Sequence, residues 1–273
     1  MQQPSGDELR TRLAFARRIA DAAAARLMVL RGSARWTEAM LGDVGDQAAD
    51  AFLQGSLQAA FPDDGLLSEE TADAPERLAR RWTWIVDPLD GTKEYSALRH
   101  DFAVHVGLAL DGAPCLGAVA LPAIGRTVAA ILGQGAVLHG EGGDWPRELA
   151  ADPGGPQGRQ LRLVCSRSHT PDWVKALAGR LDGAELVPCG SVGFKVAMLL
   201  FGKADAYVHD KGLKEWDTCA PEVVARAAGF SVCRLDGSAQ RYNQSNPRND
   251  QIVVCRPWLR DRVLAALAAL RPF

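Results

Sequence analysis

In Trp84-Ile85-Val86-Asp87-Pro88-Leu89-Asp90-Gly91-Thr92 an apolar run ends on two carboxylates spaced three residues apart. Aspartates at a strand end cap a turn, hold a hard cation, or take a phosphoryl group. A calcium loop of the EF-hand type needs oxygens at positions 1, 3 and 5 and glycine at 6, but here the carboxylates fall at 1 and 4. A phosphoaspartate hydrolase sets its two aspartates two residues apart, and Pro88 stiffens the exit in a different direction. Two readings stay open. One is a type I turn capped by Asp87. The other is a Mg²⁺ site made of Asp87, Asp90 and the Leu89 carbonyl, all hard oxygen donors. The amides of Gly91 and Thr92 are suited to hold a phosphate if a helix begins there.

Two further acidic clusters stand at expected element ends. Glu69 and Glu70 close the run Leu66-Leu67-Ser68, and read either as a strand end or as one inward ligand beside one solvated neighbour. Asp217 follows Trp216 just ahead of an apolar-periodic segment with Pro221 in its expected first turn, and reads as an N-cap, a ligand, or both. Four carboxylates about 6 Å apart would repel by roughly 3 kcal/mol per pair at an effective dielectric near 20. If these clusters meet, they meet around cations.

The elements that would position them are legible in outline. Apolar residues at helical spacing predict a helix over 7–31 and a second over 46–60, stopped by Pro62-Asp63-Asp64-Gly65. Strands follow from Leu66, with a hairpin at Asp111-Gly112 between FAVHVGLAL and PCLGAVALPA, continued by TVAAILGQGAVL. The Gly- and Pro-rich stretch 140–160 reads as a boundary or mobile loop between an α+β part, 1–145, and an α/β part, 146–273. In the second part strands and helices alternate, with helices expected over 172–181, 193–201, 221–229 and 258–270.

Composition narrows the class. The chain has 273 residues, a net charge of −2 and 47% hydrophobic residues, which argues against a bulk nucleic-acid binder. The charged N-terminal region does not have the pattern of a signal peptide, and no long uninterrupted apolar run exists to span a membrane. The six cysteines are scattered without a C-x-x-C pair, the usage expected of reduced thiols in a cytoplasmic protein.

The Glu-Glu pair, the D-P-L-D-G-T run and Trp216-Asp217 with the later Ala228-Gly229 occur in an order that resembles the inositol monophosphatase superfamily. The resemblance runs from Asp46 to the C-terminal helix and implies a layered α-β-α-β-α sandwich. It implies a Mg²⁺-dependent, commonly Li⁺-sensitive phosphomonoesterase with two or three ions. Leu67-Ser68-Glu69-Glu70, Lys93-Glu94-Tyr95 after the D-G-T, and Gly190-Ser191…Lys195 look like the branch of 3′(2′),5′-bisphosphate nucleotidases. That branch acts on 3′-phosphoadenosine 5′-phosphate, a by-product of sulfate assimilation. The alternative is a broad inositol monophosphatase or fructose-1,6-bisphosphatase. A silent nucleotide- or metal-sensing protein on the same fold is a third reading, disfavoured because every expected carboxylate and Thr92 are present.

Carried over by motif, Glu69, Asp87, the Leu89 carbonyl, Asp90 and Asp217 would bind the metal ions. Thr92 would orient the attacking water, partnered by Asp46, with no covalent phosphoenzyme. Asp43 stands where the family usually has threonine, and Asp46 is the better match for the partner by its distance to Glu69. Leu89, Asp90, Gly91, Thr92 and Asp217 would border the substrate. Ser191 and Lys195 are candidates for the ribose or the second phosphate, and Ser166 to His169 (Ser-Arg-Ser-His) for the adenosine pocket. Lys195 reads equally well as a surface helix lysine, and His100 and His105 are not assigned direct catalysis. The expected partner is a small phosphate ester, with no nucleic-acid polymer and no membrane, for a monomer or homodimer.

Overall fold

Strand residues alternate between two faces, and in this chain both faces of both sheets are apolar, so each sheet must be covered twice. A computed structural model, described for residues 4–33, 35–140, 146–152, 154–155 and 158–270, shows how. Two helices, α1 (Gly6–Gly32) and α2 (Glu38–Ala60), precede a seven-stranded sheet. Its strands are β1 (Gly65–Ser68), β2 (Trp82–Asp90), β3 (Ala103–Leu110), β4 (Ala113–Leu121), β5 (Arg126–Ile131), β6 (Gly135–Gly140) and β7 (Arg147–Leu149), in sequential order, with the short helix α3 (Thr92–Ser96) after β2. The β1–β2 pair is parallel and the rest is an antiparallel meander. The Asp111-Gly112 hairpin forms with both residues at positive φ (51° and 79°), the conformation that a tight two-residue turn requires.

The second sheet has the order β11-β12-β10-β8-β9, from β8 (Arg162–Ser166), β9 (Glu185–Cys189), β10 (Ala206–His209), β11 (Ser231–Cys233) and β12 (Ile252–Cys255). Its helices are α4 (Asp172–Arg180), α5 (Val192–Leu200), α6 (Glu215–Ala227) and α7 (Arg260–Leu270). The register of alternation sorts them into layers. Val104, Val106 and Leu108 of β3 pack with α1 and α2, while Ala103 joins Val119 and Leu121 in a core shared with α5 and α6. Val164, Tyr207, Ile252 and Val254 close that same core from the second sheet. Leu163, Cys165, Val208 and Val253, on the reverse face, pack against α4 and α7. The result is helix, sheet, helix, sheet, helix.

Three expectations about elements change. The helix placed at 46–60 begins eight residues earlier, so Asp46 lies in its interior. Gly42 and Gly45, which resemble a stop, face α3 instead, where an added Cβ would come 2.7 Å from the Ser96 hydroxyl at Gly42 and 2.8 Å from the Tyr95 ring at Gly45. The helix placed at 221–229 begins at Glu215, with Pro221 in its interior. The stretch 140–160 contains a strand, β7, which pairs with β6; residues 141–145, 153 and 156–157 of it lie outside the described residues. No helix among the described residues is long and apolar enough to cross a membrane.

Close approach of α6 to the first sheet depends on two glycines paired across β3 and β4, Gly107 and Gly117. A Cβ on Gly117 would lie 2.9 Å from the Ala220 Cα, and one on Gly107 would lie 2.7 Å from the Cys219 sulfur. The Gly117 contact is with backbone, which cannot step aside as a flexible side chain would. Gly117→Ala should therefore cost about 1–3 kcal/mol, a fall in Tm of roughly 2–12 °C for a chain this size. Thermal unfolding followed by circular dichroism checks this, and an unchanged Tm would show that the seam is looser than described.

Candidate active site

The Asp87 segment is a bulged strand and not a type I turn. β2 pairs with β3 through Asp87↔His105, slips, and pairs again at Asp90↔Ala103. The irregularity turns two carboxylates that strict alternation would keep apart toward one volume. Asp87 retains a local bond of the kind its turn reading implied, Oδ1 accepting from the Leu89 amide at 3.0 Å. Gly91 then takes φ 94°, a conformation open to glycine at little cost, and caps α3 so that Thr92 is the first helical residue.

Asp90 is held from the other half of the chain. Its Oδ1 accepts from the Val192 amide (3.1 Å) and its Oδ2 from the Gly193 amide (2.7 Å), at the first turn of α5. Unsatisfied amides at a helix start suit a carboxylate. His105 approaches from β3, with Nε2 3.1 Å from Asp90 Oδ2 and Nδ1 3.2 Å from the Trp216 carbonyl. Burial alone would raise the Asp90 pKa, but His105 and the Gly193 amide outweigh it and the pKa is lowered. Burial likewise opposes charge on His105, yet the Asp90 carboxylate prevails and its pKa is raised.

Asp217 arrives on α6 as the third helical residue and not as its N-cap. Its Oδ2 accepts from the Lys214 amide at 2.6 Å, so the carboxylate does cap the helix, but from inside the first turn. Oxygen atoms of Asp87, Asp90 and Asp217 all lie within 4.8 Å of one another. Burial, then Asp90, pushes Asp217 up to about 7. Burial, then Glu69, Asp90 and Asp217, holds Asp87 well above the ordinary carboxylate range.

Glu69 lies beside the cluster, outside the three residues whose oxygens meet within 4.8 Å. The parallel register sets Ser68 opposite Val86, which carries Glu69, whose residue as a whole stays exposed, level with Asp87. Burial and then Glu70 raise the Glu69 pKa. On α2, Asp46 meets the Thr92 hydroxyl, which also lies 3.2 Å from the Leu89 carbonyl. Asp43 is exposed, whereas Asp46 is buried with Oδ1 unpartnered, and burial followed by Glu70 and Glu69 pushes Asp46 up to about 8.

The substrate-side candidates fall into two groups. Ser191 is the N-cap of α5, its hydroxyl accepting from the Phe194 amide at 2.9 Å. Lys195 is not a surface lysine: it is 4% exposed, its Nζ donates to the Gly190 carbonyl and sits 5.4 Å from the centre of the Tyr207 ring. Ser166, at the end of β8, borders a separate small cavity of about 130 Å³ with His169, Trp173 and His209. A larger open cavity of about 770 Å³ adjoins Thr92 and is bordered by Asp43, Lys93, Glu94, Arg99 and Arg167.

Sequence reasoning gave too little weight to His105, overlooked Asp101, and named Arg167 only as part of the Ser166–His169 stretch. His105 is fully buried against two of the three clustered aspartates, while His100 is exposed. A histidine facing inward in a strand as apolar as FAVHVGLAL was the available signal. Asp101 Oδ2 accepts from the Gly190 amide and from Arg167, each at 2.5 Å, with Glu94 3.5 Å from Arg167. No signal in the sequence paired residues so far apart.

A family model described as the inositol monophosphatase family matches residues 38–270. The chain belongs to the inositol monophosphatase family. Within it, the 3′-phosphoadenosine 5′-phosphate phosphatases of Mycobacterium bovis and Mycobacterium tuberculosis are each 38% identical over 239 residues, covering 85% of this chain and 83% of theirs. The structure of an inositol monophosphatase from Anabaena (Nostoc) sp. superposes with a TM-score of 0.78 at 23% identity, covering 97% of this chain and 98% of that one. That of CysQ from Bacteroides thetaiotaomicron, described as a bacterial member of the family, gives 0.77 at 24%, covering 90% and 97%. These two likenesses establish the layered fold.

The raised carboxyls have a consequence for the metal-free protein. Asp46 keeps its proton in the folded chain up to about pH 8 but loses it near 3.8 when unfolded. A raised folded-state pKa contributes stability that is full below the lower value and is lost as pH rises through the higher one. The metal-free inositol monophosphatase-family chain should accordingly melt at progressively lower temperature from pH 5 to pH 8, and Asp46→Asn should flatten the slope. Differential scanning calorimetry in chelator measures both; a Tm that climbs over that interval would contradict the assignment.

Proposed function

We propose that this chain is a Mg²⁺-dependent phosphomonoesterase that hydrolyses 3′-phosphoadenosine 5′-phosphate to AMP and phosphate. The observation that carries the reading is the convergence of Asp87, Asp90 and Asp217 within 4.8 Å beside the Thr92–Asp46 pair. The donor set fits a hard divalent cation: it is all oxygen, and Asp87 Oδ2 is buried with no hydrogen-bond partner. Glu69, Asp87 and the Leu89 carbonyl would hold one ion, and Asp87, Asp90 and Asp217 a second. When bound, the cations activate water and stabilise charge on the leaving oxygen.

The remaining work falls to the chain. Thr92 has one hydroxyl proton and two acceptors within reach, the Leu89 carbonyl and Asp46. Were that carbonyl taken as a ligand, the hydroxyl would donate to Asp46, and its lone pair would accept from the attacking water and aim it at phosphorus. The Gly91 and Thr92 amides at the start of α3 meet the phosphoryl oxygens. His105 keeps Asp90 ionised and fixed without touching substrate. Ser191 and Lys195, at the start of the helix whose amides hold Asp90, are assigned to the ribose or second phosphate, and Ser166 to the adenosine side. The substrate class is supported by the mycobacterial relatives, which bear the name of this activity over most of their length. With that substrate, the enzyme would serve sulfur assimilation in the cytoplasm and be inhibited by Li⁺.

Phosphate release from 3′-phosphoadenosine 5′-phosphate, inositol 1-phosphate and fructose 1,6-bisphosphate tests both halves of the proposal. The nucleotide should turn over at least about tenfold faster by kcat/KM, a difference of roughly 1.4 kcal/mol, with activity abolished by EDTA and reduced by Li⁺. Comparable turnover of all three would sink the specificity, and activity in chelator would sink the metal mechanism. Asp87→Asn should lose roughly 100-fold or more, since even outer partners of metal ligands cost 10–100-fold. Thr92→Ala should lower kcat by about 100-fold with KM little changed, the pattern of a residue that acts on the water and not on substrate binding.

A further inference from the structure

One buried carboxylate near the cluster has no part in the scheme above. Asp50 lies one helical turn after Asp46 on α2 and is 7% exposed. Its Oδ1 accepts from the Ser68 hydroxyl at 2.5 Å and its Oδ2 from the Thr71 hydroxyl at 2.9 Å. Ser68 immediately precedes Glu69 and Thr71 immediately follows Glu70, so the two bonds grip the glutamate pair from both sides. Gln54, a further turn along α2, donates to the same Oδ2 and to the Thr71 hydroxyl.

We infer that Asp50 is a positioning residue: it fixes the Glu69-Glu70 segment to α2 and thereby sets the Glu69 carboxyl against Asp87. The inference rests on the proposed reading of Glu69 as a metal ligand. β1 ends at Ser68, so beyond it the backbone of residues 69 and 70 has no strand partner to hold it. A carboxylate is the right anchor for this task. Its two oxygens accept from several neutral donors at once, and bonds to an ionised acceptor are stronger than those to a neutral one. An amide in its place would present N–H₂ to Thr71 and Gln54, which are donors in this arrangement, and would release one side of the segment. Because Asp46 and Asp50 stand on the same face of one rigid helix, the metal ligand and the partner of Thr92 are held to a common frame.

The test is direct titration of Mg²⁺ alone into metal-free protein by calorimetry, with the Mg²⁺-induced rise in Tm as a second readout. Asp50→Asn should weaken Mg²⁺ binding by about 10-fold, within the range for partners that orient metal ligands. Its kcat on 3′-phosphoadenosine 5′-phosphate at saturating Mg²⁺ should stay within about threefold of the wild-type chain, a split that loss of folded protein would not give. The Ser68→Ala/Thr71→Val double variant, which spares Asp50, should reproduce the weakened binding, and combining it with Asp50→Asn should add little. Wild-type Mg²⁺ affinity in Asp50→Asn would overturn the inference while leaving the proposed function intact, as would a kcat loss that saturating Mg²⁺ fails to restore. Absence of Mg²⁺ binding in the wild-type chain would overturn the metal reading and the clamp together.

Discussion

The organising constraint of this structure is the mutual repulsion of carboxylates gathered at one end of β2. At 4.8 Å and an effective dielectric near 20, each ionised pair among Asp87, Asp90 and Asp217 opposes its neighbour by about 3 kcal/mol. Chains seldom bury unpaired charge, and here the arrangement is relieved unequally. Asp90 receives two backbone amides and a histidine and is held as an anion, whereas Asp87 and Asp217 receive one amide each and are pushed toward the neutral acid. That asymmetry leaves a partly unbalanced site, which is the electrostatic state that a cation would complete.

Much of the fold can be understood as the means of bringing those three residues together. Asp87 and Asp90 are fixed by a slip in the β2–β3 register, and their side chains converge because one strand bulges. Asp217 comes from a helix 130 residues later, and its approach depends on how closely α6 lies on the sheet. The paired glycines of β3 and β4 set that distance. Pro221 has a related effect: it has no amide to give to the carbonyl one turn back, that of Asp217, so the helix is weakest next to the residue that must face the cluster. α5 then delivers its first amides to Asp90 from the layer between the two sheets.

The legible part of the sequence was the part with local cause. Helices α1, α4, α5 and α7 and the antiparallel meander followed from periodicity and turn chemistry, whereas residue type and spacing left the aspartates open between turn, cap and ligand and the family resemblance was what joined them. The motifs were less informative about who supports them. His105 looked like an incidental strand residue because its role depends on the register opposite Asp87, which a single sequence does not state. Lys195 read equally as a solvated helix residue, since its burial comes from Tyr207 on a strand of the second sheet. The early start of α2 was missed because glycine reports two things that look alike in sequence: a break in the helix, or a face pressed against a neighbour. Gly42 and Gly45 are the second kind, and α3 is the neighbour.

Lys93-Glu94-Tyr95 ties the start of α3 to both halves of the chain. Tyr95 is buried between α1 and α2 and donates its hydroxyl to the Leu27 carbonyl at 2.8 Å, which ties α3, and with it Thr92, to the first helical layer. Glu94 turns the other way, toward Arg167 and Gly190 of the second half. Arg167 in turn reaches Asp101, whose side chain and backbone carbonyl hold the amides of Gly190 and Ser191 just ahead of α5. A single five-residue helix therefore links the Thr92 side of the site to the start of α5, where Asp90 and the substrate-side candidates Ser191 and Lys195 are set. A change of residue type at Glu94 would act on the position of α5 relative to Thr92 without touching either.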